Sequence, residues 1–388
     1  MKASTSMNAS SNHGTAFLAA FLLTLLIGTE TLCLLLVWQT GLLSLPMLWL
    51  LAGAAALLAL LLWRGLFPKS PRLFLWKRLI SCILCICITA ACAVTSLMSL
   101  VLGSSLDMMF EVTEAPLTAA PPNPHKESFI IYLGGSDTRS GKLTKGRNDV
   151  NILAVINPNT QQLLLVNTPR DYYVSNPAGN GAKDKLSHCG LYGLENAKEA
   201  LSQLYDVPIA YGAVINFKGF EALIDALGGV TVYSDTAFTT TVGGYMIRKG
   251  ANTLNGAQAL AFARERSKVA GGDNTRGQHQ MQVIAAMVRQ LSAGNILSRW
   301  REILNSLEGM FTTDMPLSVM TKLLTSEISD LDNWEIFSIA VTGKNGTDYN
   351  WSSGGKAYVM YPDESVAQAA EMMLRVMADE VLTAENSP

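Results

Sequence analysis

The clearest hydrophobic pattern in the chain lies between residues 129 and 171, where three short apolar runs are separated by polar loops. The runs FIIYL, VNILAVIN and LLLVN are rich in Ile, Val and Leu and too short for helices, which favours β-strands. NPNT separates the second and third runs at the spacing of a hairpin turn. The pattern predicts core strands of one sheet.

Strands and helices alternate after these runs. KDKLSHCGLYG predicts a polar loop, LENAKEALSQLY a helix, IAYGAVINF a strand, GFEALIDALGG a helix capped by Gly228 or Gly229, and VTVY another strand. Beyond Met315, WEIFSIAV predicts a strand, followed by a Gly/Asn/Ser loop and a final helix from about Ser365 to Val381. This alternation predicts an α/β domain.

Three longer apolar runs precede that domain, at residues 16–38, 42–63 and 79–102. Each is about 20 residues long, enough for a helix to cross a ~30 Å hydrocarbon core. The connection between the second and third runs, RGLFPKSPRLFLWKR, carries five Lys or Arg residues, whereas the first connection carries no charge. These runs predict three transmembrane helices with the basic loop and the N-terminus in the cytoplasm.

The length of 388 residues leaves room for this membrane part and one large domain, and the net charge of -2 identifies no partner. Residues 103–127 are rich in Pro, Ala and Thr without apolar periodicity, which is typical of a semi-rigid linker. The predicted organisation is a cytoplasmic N-terminus at 1–15, the three helices within 16–102, the linker at 103–127, and an extracytoplasmic domain at 128–382.

Charged residues gather at the ends of the apolar segments, where a sheet would present them along one edge. They are Asp137, Arg139, Arg147, Asp149, Arg170, Asp171, Arg264, Arg266, Asp273 and Arg276. Arginine binds phosphate through two parallel hydrogen bonds, and paired carboxylates hold Mg²⁺ against phosphate oxygens. The set predicts a phosphate-handling site; the alternative is that these are surface ion pairs and turn residues.

The segment LNGAQALAFARERSKVAGGDNTRGQHQMQVI carries part of this set. Residues two apart on a helix do not share a face, so if Arg264 and Arg266 reach one ligand, the helix is expected to end before them. Gly271 and Gly272 predict a turn. Arg276 and Gln280, four residues apart, would then share one face of the next helix.

Other chemistries lack their sequence signatures. The histidines show no HExxH spacing, and the domain has no GxSxG elbow and no Walker P-loop. His188 beside Cys189 imitates a nucleophile and base, but neighbours in sequence point to different sides, so an ordinary loop is expected. No basic helix-turn-helix pattern is present, and no direct nucleic acid binding is expected.

The segments GSDTR, GRNDVNILAVINP, NTPRDYYV, INFKGFEALIDALGGV, LNGAQALAFARER and GGDNTRGQHQMQVI resemble, in family order, the LytR-CpsA-Psr (LCP) family of cell-envelope proteins. The resemblance is clear over residues 128–291. It implies an α/β/α domain with a mixed central sheet. It also implies transfer of a glycosyl phosphate, of teichoic acid or capsular polysaccharide type, from a polyprenyl-pyrophosphate carrier to peptidoglycan, with Mg²⁺ on the pyrophosphate.

The same resemblance implies roles for individual residues. Asp137 and Asp149 would hold the metal, and Asp149 or Asp171 would act as base. The phosphate clamp would consist of Arg170, Arg264, Arg266 and Arg276, with Arg139, Arg147 and Gln280 as further contacts. Where many members have a second arginine before the glutamine, this chain has His279. The resemblance leaves open whether His279 replaces that contact.

Two alternatives stay open from the sequence. One is a non-catalytic envelope regulator, or transcriptional attenuator, that binds lipid-linked precursors at the membrane. The other is a hydrolase of the polyprenyl pyrophosphate. The sequence distinguishes neither the glycopolymer nor the acceptor sugar.

Overall fold

A computed structural model gives the fold of the chain. The described residues are 21–35, 51–60 and 80–93 except 22, 58 and 82, then 122, 126–138, 143, 145–269, 272–292, 303, 307, 309–316, 319, 320, 323 and 333–383. The chain divides into two compact units, Met1–Leu106 and Asp107–Pro388.

In the first unit, the described residues of 21–35, 51–60 and 80–93 are helical. Within the described part of the chain, none of the helices has both the length and the apolar character needed to cross a membrane. The prediction of three transmembrane helices is therefore not supported there. The rest of each predicted span, the N-terminus at 1–15 and most of the linker at 103–127 lie outside the described residues.

The second unit contains a series of strands and helices. The strands are β1 Phe129–Ser136, β2 Asn148–Asn157, β3 Gln162–Asn167, β4 Tyr173–Asn176, β5 Ala182–Lys185, β6 Tyr211–Asn216, β7 Val230–Ser234, β8 Phe238–Thr239, β9 Met246–Ile247, β10 Gly250–Leu254, β11 Phe311–Thr313, β12 Glu335–Ala340, β13 Gly343–Asn350 and β14 Gly355–Pro362. The α-helices are α1 Leu186–Cys189, α2 Leu194–Tyr205, α3 Phe217–Ala226, α4 Gly256–Arg264, α5 Asp273–Ser292 and α6 Ser365–Met377. Pro177–Gly179 and Gly190–Tyr192 form 3₁₀ turns.

The central sheet, as far as it is described, has the strand order β11-β6-β1-β2-β3-β12. β1, β2 and β3 are antiparallel neighbours, as their apolar runs and the NPNT turn predict. β6 is parallel to β1, and β12 is parallel to β3. The chain between the two strands of each parallel pair includes both helices and further strands. The sheet is mixed, as predicted.

Helices cover both faces of this sheet. Leu153 and Val155 of β2 point to one face and pack with α2 and α6. Ile152 and Ala154 point to the other face and pack with Met281 of α5. Because successive side chains of a strand alternate between faces, a strand covered on both sides is apolar where it is covered, which explains the unbroken run ILAVI. The predicted α/β/α layering is confirmed.

Several local predictions were wrong. The segment expected to be a Gly/Asn/Ser loop forms the antiparallel hairpin β13–β14. The segment expected to be a polar loop contains β5 and α1, and all four residues of α1 are buried. VTVY is a strand as predicted, but β7 pairs with β10 in a separate two-stranded sheet. The final helix ends at Met377 instead of Val381.

Candidate active site

A polar cavity of about 220 Å³ lies at one edge of the central sheet. Most of the residues that line it belong to the charged set identified from the sequence. They are Asp149, Val150, Arg170, Phe217, Arg264, Arg266, Arg276 and Gln280. Four arginines around one carboxylate make this cavity suited to an anion with several negative charges.

The topology of the sheet explains why these residues meet. β2 runs antiparallel to β1 and β3, so the start of β2 lies beside the ends of both neighbours. Asp149 therefore lies close to Arg170, which follows β3. β6 is parallel to β1 and ends at the same edge, where Phe217 begins α3.

Arg264 and Arg266 enter the cavity from the end of α4. The helix was expected to end before both arginines, and this expectation was wrong for Arg264, which is the last residue of α4. The chain turns extended at Glu265, so Arg266 leaves the helical path and lines the same cavity. The Arg264 guanidinium lies 4.4 Å from the centroid of the Phe217 ring, a cation-π contact that holds it at the cavity wall.

Arg170 connects two carboxylates. Its Nη1 donates to Asp149 Oδ1 over 2.9 Å, and its Nε lies 3.4 Å from Asp171 Oδ2. Lys185 Nζ lies 2.9 Å from Asp171 Oδ1, on the side away from Arg170. Asp171 is therefore held between two cations next to the cavity, although it does not line the cavity itself.

Arg276 and Gln280 lie on one face of α5, as their spacing predicts, and both are buried. Gln280 is oriented by Asn167, whose Nδ2 donates to Gln280 Oε1 over 3.1 Å. Gly277 permits this contact, because a Cβ atom at that position would lie 2.6 Å from Asn167 Oδ1. The glycine thus allows α5 to approach the end of β3.

His279 does not line the cavity. It is buried against Phe262, with ring centroids 4.0 Å apart, and it also stacks on Phe238. Burial lowers the pKa of His279, although its contact with the Phe262 carbonyl oxygen acts in the opposite direction. In this structure the His279 ring is stacked in an apolar cluster and does not take an arginine's place in the cavity lining.

Sequence reasoning missed Glu265, which organises the loop after α4. Its buried carboxylate accepts hydrogen bonds from the backbone N–H groups of Arg266, Ser267 and Lys268 and from Thr241. Burial raises the pKa of Glu265, but the hydrogen bonds from these N–H groups outweigh burial and hold the pKa below its usual value. The loop that carries Arg266 therefore has a fixed backbone. Asn167, Lys185 and Phe217 were missed as well.

Other predicted site residues lie outside the cavity lining. Asp137 and Arg147 are exposed, and the Asp137 N–H donates to the Arg147 carbonyl oxygen. Arg139 and the side chain of Asp273 are outside the described residues. The described part of the chain contains no cluster of three or more His, Cys, Asp or Glu side chains that could hold a metal. The predicted metal pair of Asp137 and Asp149 stays a prediction.

An apolar cavity of about 230 Å³ adjoins the polar cavity. Leu133 of β1, Phe220 of α3, Leu260 of α4 and Ile284 of α5 are among the residues that line it. The two cavities share Val150, Phe217, Arg264 and Gln280 in their walls. A cavity whose lining suits an anion thus opens next to a space whose lining suits a hydrocarbon chain.

Comparison with known proteins finds relatives for this domain. Two curated proteins named polyisoprenyl-teichoic acid–peptidoglycan teichoic acid transferase TagU match it. The protein from Oceanobacillus iheyensis is 35% identical over 58% of this chain and 71% of its own length. The protein from Enterococcus faecalis is 32% identical over 57% of this chain and 73% of its own length.

A solved structure of TagT bound to LI-WTA has the same fold. It is 25% identical, with a TM-score of 0.55, and the match covers 69% of this chain and 98% of TagT. The model of the LytR_cpsA_psr family matches residues 108–373. This chain belongs to the LytR_cpsA_psr family, as the order of its sequence motifs predicted.

Proposed function

We propose that this protein transfers a glycopolymer, of teichoic acid or capsular polysaccharide type, from a polyprenyl-pyrophosphate carrier to peptidoglycan. The observation that carries the proposal is the shared wall of the two cavities. A polyprenyl pyrophosphate has the matching two parts, a dianionic headgroup and a hydrocarbon chain. The TagU relatives are named for a polyisoprenyl-linked teichoic acid, which also combines an isoprenoid chain with a polymer.

The reaction is a phosphoryl transfer. A hydroxyl oxygen of the acceptor sugar attacks the phosphorus that carries the glycan, and the bond from that phosphorus to the bridging oxygen breaks. The glycan and its phosphate move to the acceptor, and polyprenyl monophosphate leaves with the bridging oxygen. The hydroxyl proton passes to Asp149 or Asp171, the two candidate bases. Such reactions depend mainly on positioning and charge stabilisation, which require no covalent nucleophile.

The arginines supply the charge. Arg170, Arg264 and Arg266 all line the polar cavity. Leaving a buried pyrophosphate without cations would cost several kcal/mol. An entering phosphate can also replace Asp149 as the partner of Arg170, which frees the carboxylate for a proton or a metal. The clamp and the base are thus coupled through the 2.9 Å contact between Arg170 and Asp149.

The carboxylates near the cavity fit Mg²⁺ by their chemistry. Asp137 directly follows β1, and Asp149 comes directly after Asn148, the residue that pairs with Ser136 at the end of β1. Mg²⁺ in proteins is commonly bound by one or two carboxylates together with substrate phosphates and water. When bound, it would neutralise charge on the pyrophosphate. Loss of transfer on chelation, restored by added Mg²⁺, is the expected result.

The N-terminal part would place this chemistry at a membrane. We assign residues 16–102 to three membrane-spanning helices and residues 128–382 to an extracytoplasmic catalytic domain, because the cations of the chain's first hundred residues gather between the second and third apolar runs. A reporter active only in the cytoplasm, fused after Pro388, should be silent. Activity of that fusion would overturn this topology.

The proposed function is tested with the full-length protein, a polyprenyl-pyrophosphate-linked glycan and peptidoglycan sacculi. Glycan transfer that requires sacculi supports the proposal. Release of polyprenyl monophosphate without sacculi would indicate a hydrolase. Tight binding of the lipid with no turnover, both with and without sacculi, would indicate the non-catalytic regulator.

A further inference from the structure

The hairpin β13–β14 presents an exposed face that neither cavity uses. In its register Tyr349 lies opposite Lys356, and Thr347 lies opposite Tyr358. Asn345, Thr347, Tyr349, Lys356 and Tyr358 are all exposed, whereas Val359 on the opposite face is buried. One side of the hairpin therefore packs against the domain, and the other carries aromatic and polar side chains in solvent.

The two tyrosines on this face are prominent. Tyr349 is 49% exposed and Tyr358 is 45% exposed. They are diagonal neighbours in the antiparallel pair, so their side chains start about 7 Å apart. The Tyr358 hydroxyl donates to Asn345 Oδ1 over 2.7 Å, which fixes the orientation of its ring. Exposed rings with a fixed orientation lose little entropy on binding.

This face is connected to the polar cavity by a chain of charged contacts. Arg170, in the cavity wall, lies against Asp171, and Asp171 lies against Lys185. Lys185 Nζ lies 5.7 Å from the centroid of the Tyr358 ring. The Met360 N–H donates to the Asp171 carbonyl oxygen, which fixes the hairpin beside the cavity. A chain-like ligand can therefore contact the hairpin and the phosphate cavity at once.

The chemistry of the face identifies its occupant. It has no exposed aliphatic side chain that would favour a lipid or a hydrophobic protein partner. Aromatic rings that combine an apolar face with a polar hydroxyl suit sugars, whose rings are apolar on one side and carry hydroxyl groups at the rim. Lys356 and Lys185 complement a ligand that also carries carboxylates. Peptidoglycan combines amino-sugar rings with the carboxylates of its peptide stems.

We propose that the exposed face of β13–β14, formed by Thr347, Tyr349, Lys356 and Tyr358, binds the acceptor glycan strand and directs one of its hydroxyl groups to the cavity. This inference rests on the proposed function for the identity of the acceptor. The rings of Tyr358 and Tyr349 stack on successive sugars, and Lys356 binds a carboxylate. Asp171 and Lys185 lie where the strand enters the cavity.

The test is co-sedimentation of the full-length protein, in detergent, with peptidoglycan sacculi stripped of attached polymers. The variant with Tyr349→Ala and Tyr358→Ala together should bind sacculi at least about tenfold more weakly, because aromatic anchors contribute most of the energy of such contacts. Its affinity for the lipid-linked donor should stay unchanged. Tyr233→Ala is the matched control, since Tyr233 is a similarly exposed tyrosine on β7.

Two further variants separate binding from folding. Tyr358→Phe keeps the ring and should bind sacculi nearly as well as the wild type. Lys356→Glu keeps both rings and should weaken binding to sacculi. The difference from the wild type should become smaller when salt is added, because exposed charges are screened. If the double variant melts at a lower temperature, Lys356→Glu decides the matter, and its normal binding to sacculi would overturn the inference.

Failure of this inference and failure of the proposed function give different results. A wild-type protein that binds sacculi through the hairpin but transfers nothing refutes the function and leaves the binding surface intact. A wild-type protein that transfers glycan, with a double variant that binds sacculi and transfers at an unchanged acceptor KM, refutes the surface. A wild-type protein that does not bind sacculi at all also refutes the surface.

Discussion

Arg264 and Arg266 reach the same cavity by different routes. Arg264 lies in the last turn of α4 and packs over Phe217. Arg266 lies in the following loop, whose backbone N–H groups are held by the buried carboxylate of Glu265. The position of Arg266 is therefore set by a hydrogen-bonded backbone, and its side chain can be changed without disturbing that backbone.

Replacing Arg266 is the first test at this scale. Arg266→Ala should lower kcat/KM for glycan transfer by about 100-fold or more, because a charged contact to the phosphates is lost in both the bound substrate and the transition state. The melting temperature should not change. Arg266→Lys should recover only part of the activity, since lysine lacks the paired donors.

Arg248→Ala provides the control, because Arg248 is exposed in the segment after β9. Near-normal transfer by Arg266→Ala would remove this arginine from the clamp.

His279 belongs to the apolar cluster and not to the clamp. Its ring stacks on Phe262 and, at a larger distance, on Phe238. Burial lowers its pKa, so the folded protein favours the neutral ring. Its contribution to stability is therefore present at neutral pH and is lost as the pH falls below about 6.5, the usual value for the unfolded chain.

The second prediction concerns this pH dependence. His279→Phe should keep the stacking and remove the titration, so the wild type should lose stability relative to this variant between pH 7.5 and pH 5. His279→Arg should lower the melting temperature at pH 7.5, because the cluster would bury a charge. Melting curves in detergent measure both effects. A His279→Arg protein as stable as the wild type would contradict the placement of residue 279 in a closed apolar cluster.

Much of the site could be predicted from single residues. Asp149, Arg170 and Arg264 were found because a charged residue at the end of an apolar segment lies at a sheet edge. Glu265 and Asn167 were missed, because a helix-end glutamate and a strand-end asparagine have many ordinary roles. Glu265 acts through the backbone N–H groups of the loop that follows it, and Asn167 acts through Gln280. Only the fold brings these partners together.

At the scale of elements, the hairpin β13–β14 is attached to the domain through Asp184. This fully buried carboxylate accepts hydrogen bonds from the Ser352 backbone N–H and hydroxyl, and its Oδ1 lies 2.6 Å from His188 Nδ1. Burial raises the pKa of Asp184, but the contacts with His188 and Ser352 outweigh it and lower the pKa to about 2. The carboxylate ties β5 and α1 to the turn of the hairpin.

The third prediction follows from this pKa. Because the folded-state pKa is depressed, the stabilisation is complete above pH 3.8 and is lost as the pH falls from 3.8 to about 2. The lowered pKa of Asp184 corresponds to a contribution to the free energy of unfolding on the order of 2 kcal/mol. Asp184→Asn should lower the melting temperature at pH 7 and flatten its dependence on pH below 4.

Asp235→Asn is the matched control, because Asp235 is exposed. An Asp184→Asn protein whose melting curve follows that of the wild type at every pH would show that the hairpin does not depend on this carboxylate.

The elements that sequence reasoning found are those with a continuous apolar pattern. β1, β2 and β3 lie in the centre of a covered sheet, so each contains a continuous apolar run. β13 consists of glycine and polar residues apart from Tyr349, and its composition resembles that of a loop. α1 has only four residues, and besides Leu186 and Cys189 in the core it buries the polar Ser187 and His188, so no helical hydrophobic pattern marks it.

At the scale of the whole molecule, the proposed path of the reaction runs from a lipid to a wall polymer. The apolar cavity would take the polyprenyl chain, the arginine cavity the pyrophosphate, and the hairpin face the acceptor strand. A membrane anchor would bring the domain to a substrate that does not leave the membrane, so that the two meet by diffusion in a plane. Each of these sites is adjacent to the next in the described domain.

The most direct test follows the phosphorus atom that is bonded to the sugar. The full-length protein, reconstituted in vesicles, is given a polyprenyl-pyrophosphate glycan labelled at that phosphorus, together with Mg²⁺ and sacculi. We predict that the label appears covalently on the sacculi in amounts equal to the polyprenyl monophosphate released, and that no label is transferred when sacculi are omitted. Label released as a free sugar phosphate, or retained entirely on the lipid with sacculi present, would contradict the assignment as a glycopolymer transferase.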